Sequence, residues 1–346
     1  MRRFGLRPMR LTRFGSVLLG LALPACGQSA TPIASLRQAE VLVDGGHFDQ
    51  ALQRLASLAA EQPEPAGVEF LRGMIFYQQG KMSEASTAFS KAVAQNPKDR
   101  EAMQMEGVSL FRAGKPAEAV PLLEQAHRAV PAANVDPNYV LGLCYMDTRR
   151  YDDARKAFAG QYGFAPDSAP AYLLAGRMFL RRNYLLIAEE AVRKAIALNA
   201  TLPQAHLLLG EIALAHGQAA DAIADLEQES SLNPLDGLVY ERLGDAYIHA
   251  GDFDQAQHAL DRAVLLEPAV NIPFILLGKV LLKQQNSLMA KMYLEHALEI
   301  DPKNYMAHYL LGQAYRALGR ADDATREYQA AAQIQEASEP HLESSQ

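Results

Sequence analysis

The chain has 346 residues, 49% of them hydrophobic and 21% charged, which is ample apolar material for a core and too little charge for wholesale disorder. A formal net charge of −7 argues against a nucleic-acid binder, and two cysteines with no tryptophan exclude a disulfide framework. Composition leaves the activity open.

At the N-terminus, five arginines (Arg2, Arg3, Arg7, Arg10 and Arg13) come before any acidic residue, and an apolar run from Phe14 to Leu23 follows. A basic start, a short apolar stretch and small residues before Cys26 predict a secretory signal over residues 1–25. The run is about half of the roughly 20 residues a membrane-spanning helix needs, so it reads as a cleaved segment. The junction Leu23-Pro24-Ala25-Cys26-Gly27 resembles the lipobox of bacterial lipoproteins. That resemblance implies cleavage behind Ala25, lipidation of Cys26 through a diacylglyceryl thioether, and a short tether over residues 26–31. Several acyl chains on one residue suffice for durable anchoring. Gly27, where Asp would favour the inner membrane, implies the outer membrane facing the periplasm of a Gram-negative cell. Losing residues 1–25 removes five arginines and no acid, which takes the net charge to −12.

Beyond the leader, glycines recur at 73, 107, 142, 176, 210, 244, 278 and 312, every 34 residues except for one step of 35. Twelve residues after each stands an alanine, from Ala85 to Ala324, and one period earlier the two positions hold Ala39 and Ala51. A third register carries Pro63, Pro97, Pro131, Pro166, Pro234, Pro268 and Pro302. Within each period two stretches place apolar residues three and four apart, as in Tyr240, Leu243, Gly244 and Tyr247, which predicts a pair of helices. Glycine between the two stretches (Gly46, Gly80, Gly114, Gly217, Gly251, Gly319) ends the first helix and permits a sharp reversal. The register Gly and Ala are small because the paired helices approach most closely there. The late proline stops the second helix.

At these residues the chain resembles the tetratricopeptide repeat family, whose 34-residue helix–turn–helix unit places Gly, Tyr, Ala, Phe, Ala and Pro at fixed positions. Leu243, Gly244, Tyr247, Ala256, Leu260, Ala263 and Pro268 fill them in one unit, and Gly73, Phe76, Ala85, Phe89, Ala92 and Pro97 in another. The resemblance implies an all-α, right-handed superhelical solenoid of about nine units. These are 32–65, 66–99, 100–133, 135–168, 169–202, 203–236, 237–270, 271–304 and 305–338, with Asn134 inserted and a polar tail over 339–346. Three departures stand out. The first unit has Ala39 for Gly and Leu58 for the second Ala, as suits a terminal repeat. The fourth has Gln161 in the second Ala position, with Gly160 and Gly163 read inside its second helix, a bend or loose joint beside Asn134. The sixth has Glu229 in the second Ala position.

Chemistry is sparse. Gly73…Gly80-Lys81 and Gly107…Gly114-Lys115 have six residues between their glycines where a phosphate loop needs four, and no Ser or Thr after the Lys. The nine histidines form no metal-binding pair, and Cys144 has no histidine companion, so it reads as an inert buried thiol. No enzyme, cofactor, metal or small-molecule substrate is expected.

What remains is the groove that the family lines with the second, fifth, ninth, twelfth and thirteenth residues of each unit. No fifth residue is basic and no ninth is Asn, so the carboxylate clamp of chaperone-binding members is absent. In the N-terminal half the groove positions are apolar: Phe70, Met74, Tyr77, Val108, Phe111, Tyr139, Leu143 and Met146. This set either receives an amphipathic helix or extended peptide, or packs neighbouring units together. Further along, Arg177 and Arg181 are followed by Glu211, then Glu241 and Asp245, then Lys279 and Lys283, alternating signs that would set a partner's register. The expected function is a lipid-anchored scaffold or assembly factor of an envelope machine of the pilus, secretion or polysaccharide-export type, with other envelope proteins as partners. The alternative is a periplasmic holdase-like chaperone using the apolar groove promiscuously.

Overall fold

A computed structural model describes residues 32–61, 63–127 and 137–338, and every regular element among them is an α-helix. The leader, Cys26, Asn134, Pro131 and the tail over 339–346 lie outside the described residues. Two compact units divide between Pro166 and Asp167. The first contains α1 (Pro32–Asp44), α2 (Phe48–Ala59), α3 (Val68–Gln78), α4 (Met82–Gln95), α5 (Arg100–Arg112), α6 (Pro116–His127), α7 (Pro137–Asp147) and α8 (Tyr151–Tyr162). The second contains α9 (Ala169–Arg181), α10 (Leu185–Leu198), α11 (Ala205–Ala215), α12 (Ala219–Leu232) and α13 (Gly237–Ala250). It continues through α14 (Phe253–Leu266), α15 (Asn271–Lys283), α16 (Ser287–Ile300), α17 (Tyr305–Ala317) and α18 (Ala321–Ser338). Odd and even helices pair as hairpins, and within each unit every hairpin packs on the next.

The periodic glycines are where the hairpins close. A Cβ on Gly244 would lie 2.5 Å from Leu260 Cγ, and Gly210 and Gly278 meet Leu226 and Leu294 at the same 2.5 Å. Gly73 faces Phe89, Gly107 Leu123, Gly142 Phe158, Gly176 Val192 and Gly312 Tyr328, always the residue sixteen positions on. The alanines at the crossing, Ala51, Ala85, Ala119, Ala154, Ala188, Ala222, Ala256 and Ala290, are all fully buried.

Each first helix ends in the same turn. The residue at the reversal has left-handed φ, its N–H bonds back three residues, and the following N–H bonds back five, as Gly251 does to Ile248 and Asp252 to Tyr247. Three hairpins make this turn without glycine: Arg149 (φ 60°), Asn183 (φ 62°) and Gln285 (φ 63°). Gly163 is not inside α8 as expected from the sequence. It lies just beyond the helix at φ 72°, with Phe164 N–H reaching Ala159 O, so it terminates α8 rather than weakening it.

The sixth unit's Glu229 is a replacement with a purpose. Fully buried on α12, its carboxylate accepts from the backbone N–H of Gln204 (2.7 Å), His206 (3.1 Å) and Leu207 (3.2 Å) and from Asn233 Nδ2 (2.5 Å). It thereby caps α11, whose preceding residue Gln204 is itself left-handed at φ 66° and offers no side-chain cap. Successive hairpins are also tied by tyrosine hydroxyls donating to glutamates of the preceding hairpin: Tyr145 to Glu124, Tyr247 to Glu227 and Tyr315 to Glu295, each at 2.7 Å. Within hairpins, His206 faces Asp225 at 3.0 Å and His308 faces Glu327 at 2.6 Å, at equivalent positions.

The left-handed turns give the first prediction. A side chain at φ near +60° costs about 1 kcal/mol or more, partly offset by the extra unfolded-state freedom of glycine. Gln285→Gly and Arg149→Gly should each raise the thermal midpoint, while Gly251→Ala should lower it.

Candidate partner-binding surfaces

In the first compact unit, the apolar residues singled out from the sequence divide into two groups. Met74 and Val108 are buried, and Met74 packs with Ala85, Phe89 and Met105. Met146 is fully enclosed. Met74 and Met146 are therefore core residues that offer a partner no surface, because their helices pack directly on their neighbours. Phe70, Tyr77, Phe111, Tyr139 and Leu143 stay half-buried. Phe70 meets Phe89 edge-on at 5.6 Å between centroids and Tyr139 tilts against Phe158 at 6.1 Å. The Arg112 guanidinium lies over the Tyr77 ring at 4.8 Å, a cation–π contact between consecutive hairpins. Cys144 is buried, and desolvation pushes its thiol up to about 12, so no thiolate is present at neutral pH.

In the second compact unit, Arg177 and Arg181 stand exposed on α9, and Arg177 Nη2 donates to Gln204 Oε1 at 2.7 Å. The acidic stretch carries a cation that the sequence reading overlooked. Arg242 bridges Glu211 (3.0 Å) and Glu241 (2.7 Å), linking α11 and α13. It occupies the sixth position of its unit, outside the five groove positions considered, but its sequence neighbour Glu241 was a signal. Asp245 faces His249 at 3.7 Å. Lys279 and Lys283 on α15 make no ion pair among the described residues.

Glu241 is buried, and desolvation raises its carboxyl above the ordinary range; Arg242 opposes this, and Glu267, Asp245 and Glu211 reinforce it. A folded-state pKa above the unfolded value means that this group's contribution is greatest at low pH and is lost as pH rises through the folded value. Glu241→Gln has no such titration. The stability of wild type relative to Glu241→Gln should therefore fall between pH 4 and pH 7, which urea midpoints across that range will measure.

Comparison with known proteins places this architecture. A tetratricopeptide repeat-like domain matches residues 24–112. Tetratricopeptide repeats match residues 110–177, 213–271, 274–304 and 293–326. Anaphase-promoting complex subunit 3 of Schizosaccharomyces pombe is 23% identical over 281 residues, 81% of this chain and 42% of that protein. Superkiller complex protein 3 of Homo sapiens is 26% identical over 234 residues, 64% of this chain and 15% of its own. This chain thus spans less than half the length of either curated relative. Among solved structures, MamA of Desulfovibrio magneticus RS-1 is similar over 50% of this chain and 98% of that one, with 17% identity and a TM-score of 0.47. The chain belongs to the tetratricopeptide repeat family.

Proposed function

We propose that the protein is a non-enzymatic scaffold that holds a partner peptide or helix against the exposed faces of its first helices. The observation that carries this reading is that the repeats occupy the described chain from residue 32 to residue 338, while Arg177, Arg181 and Lys283 stay exposed on that face. Charged groups arranged in this way give a partner its register and its on-rate more than its affinity. Both curated relatives are, by name, components of multiprotein complexes, which supports an interaction role.

The leader sequence supports a place for this scaffold. Leu23-Pro24-Ala25-Cys26 is the feature from which we infer lipidation at Cys26 and attachment to a bacterial envelope membrane, as part of a pilus, secretion or polysaccharide-export machine. Residues 27–31 would allow a reach of at most about 18 Å at roughly 3.5 Å per residue, which keeps the first hairpin at the membrane surface. The holdase alternative needs a broad apolar surface. Phe70, Tyr77, Phe111 and Tyr139 supply a half-buried remnant of one, and the enclosure of Met74 and Met146 counts against it.

Affinity capture of the full-length chain from gently solubilised membranes, read by mass spectrometry, tests the proposal. One dominant envelope protein should co-purify and be lost in Arg177→Glu/Arg181→Glu. A diffuse set of unfolded chains, lost instead in Phe70→Ser/Phe111→Ser, would replace the scaffold with the holdase. Cys26→Ala should abolish acyl labelling and membrane association, and unchanged labelling would remove the anchor.

A further inference from the structure

The outer face of α16, a second helix, carries a side-chain set that the repeat pattern does not explain. Its inner face buries Ala290, Leu294 and Ala297, and its outer face presents Met289, Met292 and His296. These stand at the nineteenth, twenty-second and twenty-sixth positions of the unit 271–304. None of the other eight units has a sulfur at any of the three: α14 has Gln255, His258 and Arg262, and α18 has Asp323, Arg326 and Ala330. Met74, Met103, Met105, Met146 and Met178 are core residues, whereas Met289 and Met292 are 36% and 54% exposed. Met306, on α17, is exposed as well but has no equivalent companions on its helix.

Helix geometry brings the three side chains together. Met289 and Met292 are three residues apart and Met292 and His296 four, the two spacings that place neighbours on one face with Cβ atoms about 5–6 Å apart. The whole set spans seven residues, about 10 Å at 1.5 Å per residue. An atom seated over Met292 is therefore about one turn from each outer residue. The unbranched thioethers, each with three rotatable bonds, can close that distance.

The imidazole is oriented for ligation. His296 Nδ1 lies 2.9 Å from Glu299 Oε2, and a carboxylate only accepts, so Nδ1 carries the proton and donates it. The Phe274 ring meets the imidazole edge-on at 4.6 Å between centroids and fixes its tilt. Nε2 keeps its lone pair and has no hydrogen-bond partner among the described residues, the arrangement in which a carboxylate sets a metal-binding histidine. His308, also held by a carboxylate at Nδ1, has Nε2 engaged 3.1 Å from Pro302 O. The one cation of this face, Lys291, is neutralised by Glu295 at 2.9 Å.

We propose that Met289, Met292 and His296 form a surface site for Cu(I), ligated by two thioether sulfurs and His296 Nε2, with Glu299 as the positioning residue. Thioethers select a soft monovalent ion and are poor ligands for Ca2+ or Mg2+. Histidine spacing gives no sign of the site, because the companions of His296 are sulfurs. The site lies on a second helix, away from the first-helix faces of the scaffold reading, and stands independently of it.

The test uses the full-length chain with Cys26→Ser, so that the exposed thiol cannot compete; Cys144 is buried. Methionine methyl groups are labelled with 13C and Ag+ is added as a redox-inert stand-in for Cu(I). Two methyl signals, assigned by Met289→Leu and Met292→Leu, should move together and saturate at one equivalent, and Ca2+ should leave them in place. Under anaerobic ascorbate, competition with bicinchoninate should show Cu(I) binding about tenfold or more weaker in Met289→Leu/Met292→Leu and in His296→Gln. Glu299→Gln should weaken it about tenfold, with the His296 15N signals moving toward the Nε2–H tautomer. These side chains lie outside the hairpin crossings, and unchanged circular dichroism checks the fold.

Unmoved Met289 and Met292 methyls, or Cu(I) affinity equal to wild type in Met289→Leu/Met292→Leu or His296→Gln, would overturn the site. Capture of an envelope partner should be the same in wild type and Met289→Leu/Met292→Leu.

Discussion

Each hairpin from the second to the ninth is closed at one crossing, where a glycine on the first helix receives the side chain sixteen residues later on the second. The receiving side chain varies, from Phe89 and Phe158 to Leu226, Leu260 and Leu294, Val192 and Tyr328, but the space it enters does not. A helix interior disfavours glycine by about 1 kcal/mol relative to alanine, so eight such glycines persist against local propensity. Close approach of the two helices explains them. With that distance fixed, the alanines at the crossing must be small as well, and they are fully buried. The first hairpin shows the limit of the rule: Ala39 and Leu55 stand at its crossing, both fully buried.

Within a compact unit, hairpins stack through contacts that differ from joint to joint. Tyr145, Tyr247 and Tyr315 each donate to a glutamate of the preceding hairpin. At the equivalent position the other hairpins carry Phe76, Leu110, Phe179, Ala213 or Leu281, and the preceding one offers no glutamate. Tyrosine and glutamate thus occur as pairs, and burial beside the carboxylate pushes the Tyr247 and Tyr315 hydroxyls up to about 12, which keeps them protonated donors. Arg150 and Arg320 cover the outer faces of Tyr145 and Tyr315. A common hairpin is thereby combined with individual joints, leaving the exposed first-helix faces free to carry recognition.

The crossing glycines, the buried alanines and the reversal turns were legible in the sequence because they recur every 34 residues. Pro97, Pro234, Pro268 and Pro302 do follow their helices by two residues, yet α10 ends at the same point with Ala200 in the proline position. Contacts between unlike residues at separations that do not repeat were not legible. Glu229 read as a mere departure because its partners are backbone N–H groups, which leave no trace in a residue pattern. Arg149, Asn183 and Gln285 took the glycine turn because the five-residue back-bond imposes that geometry on whatever residue stands there. On the candidate surfaces the period identifies a face but not the depth of a side chain in it. Met146 is therefore enclosed while Met306 is exposed, and Arg242 lies one position outside the expected set.

The most direct test sets two glycines of opposite surroundings against each other. Gly160 lies within α8 with nothing within 4 Å of a prospective Cβ, whereas at Gly244 that atom would lie 2.5 Å from Leu260. Propensity alone favours alanine at both by about 1 kcal/mol. Native-state hydrogen exchange suits a repeat array, since it reads each hairpin separately. Gly160→Ala should increase protection in α8, and Gly244→Ala should decrease it in α13 and α14, with Leu260→Ala added to Gly244→Ala restoring part of the loss. Increased protection from Gly244→Ala, or strict additivity with Leu260→Ala, would show that the crossing does not set the hairpin.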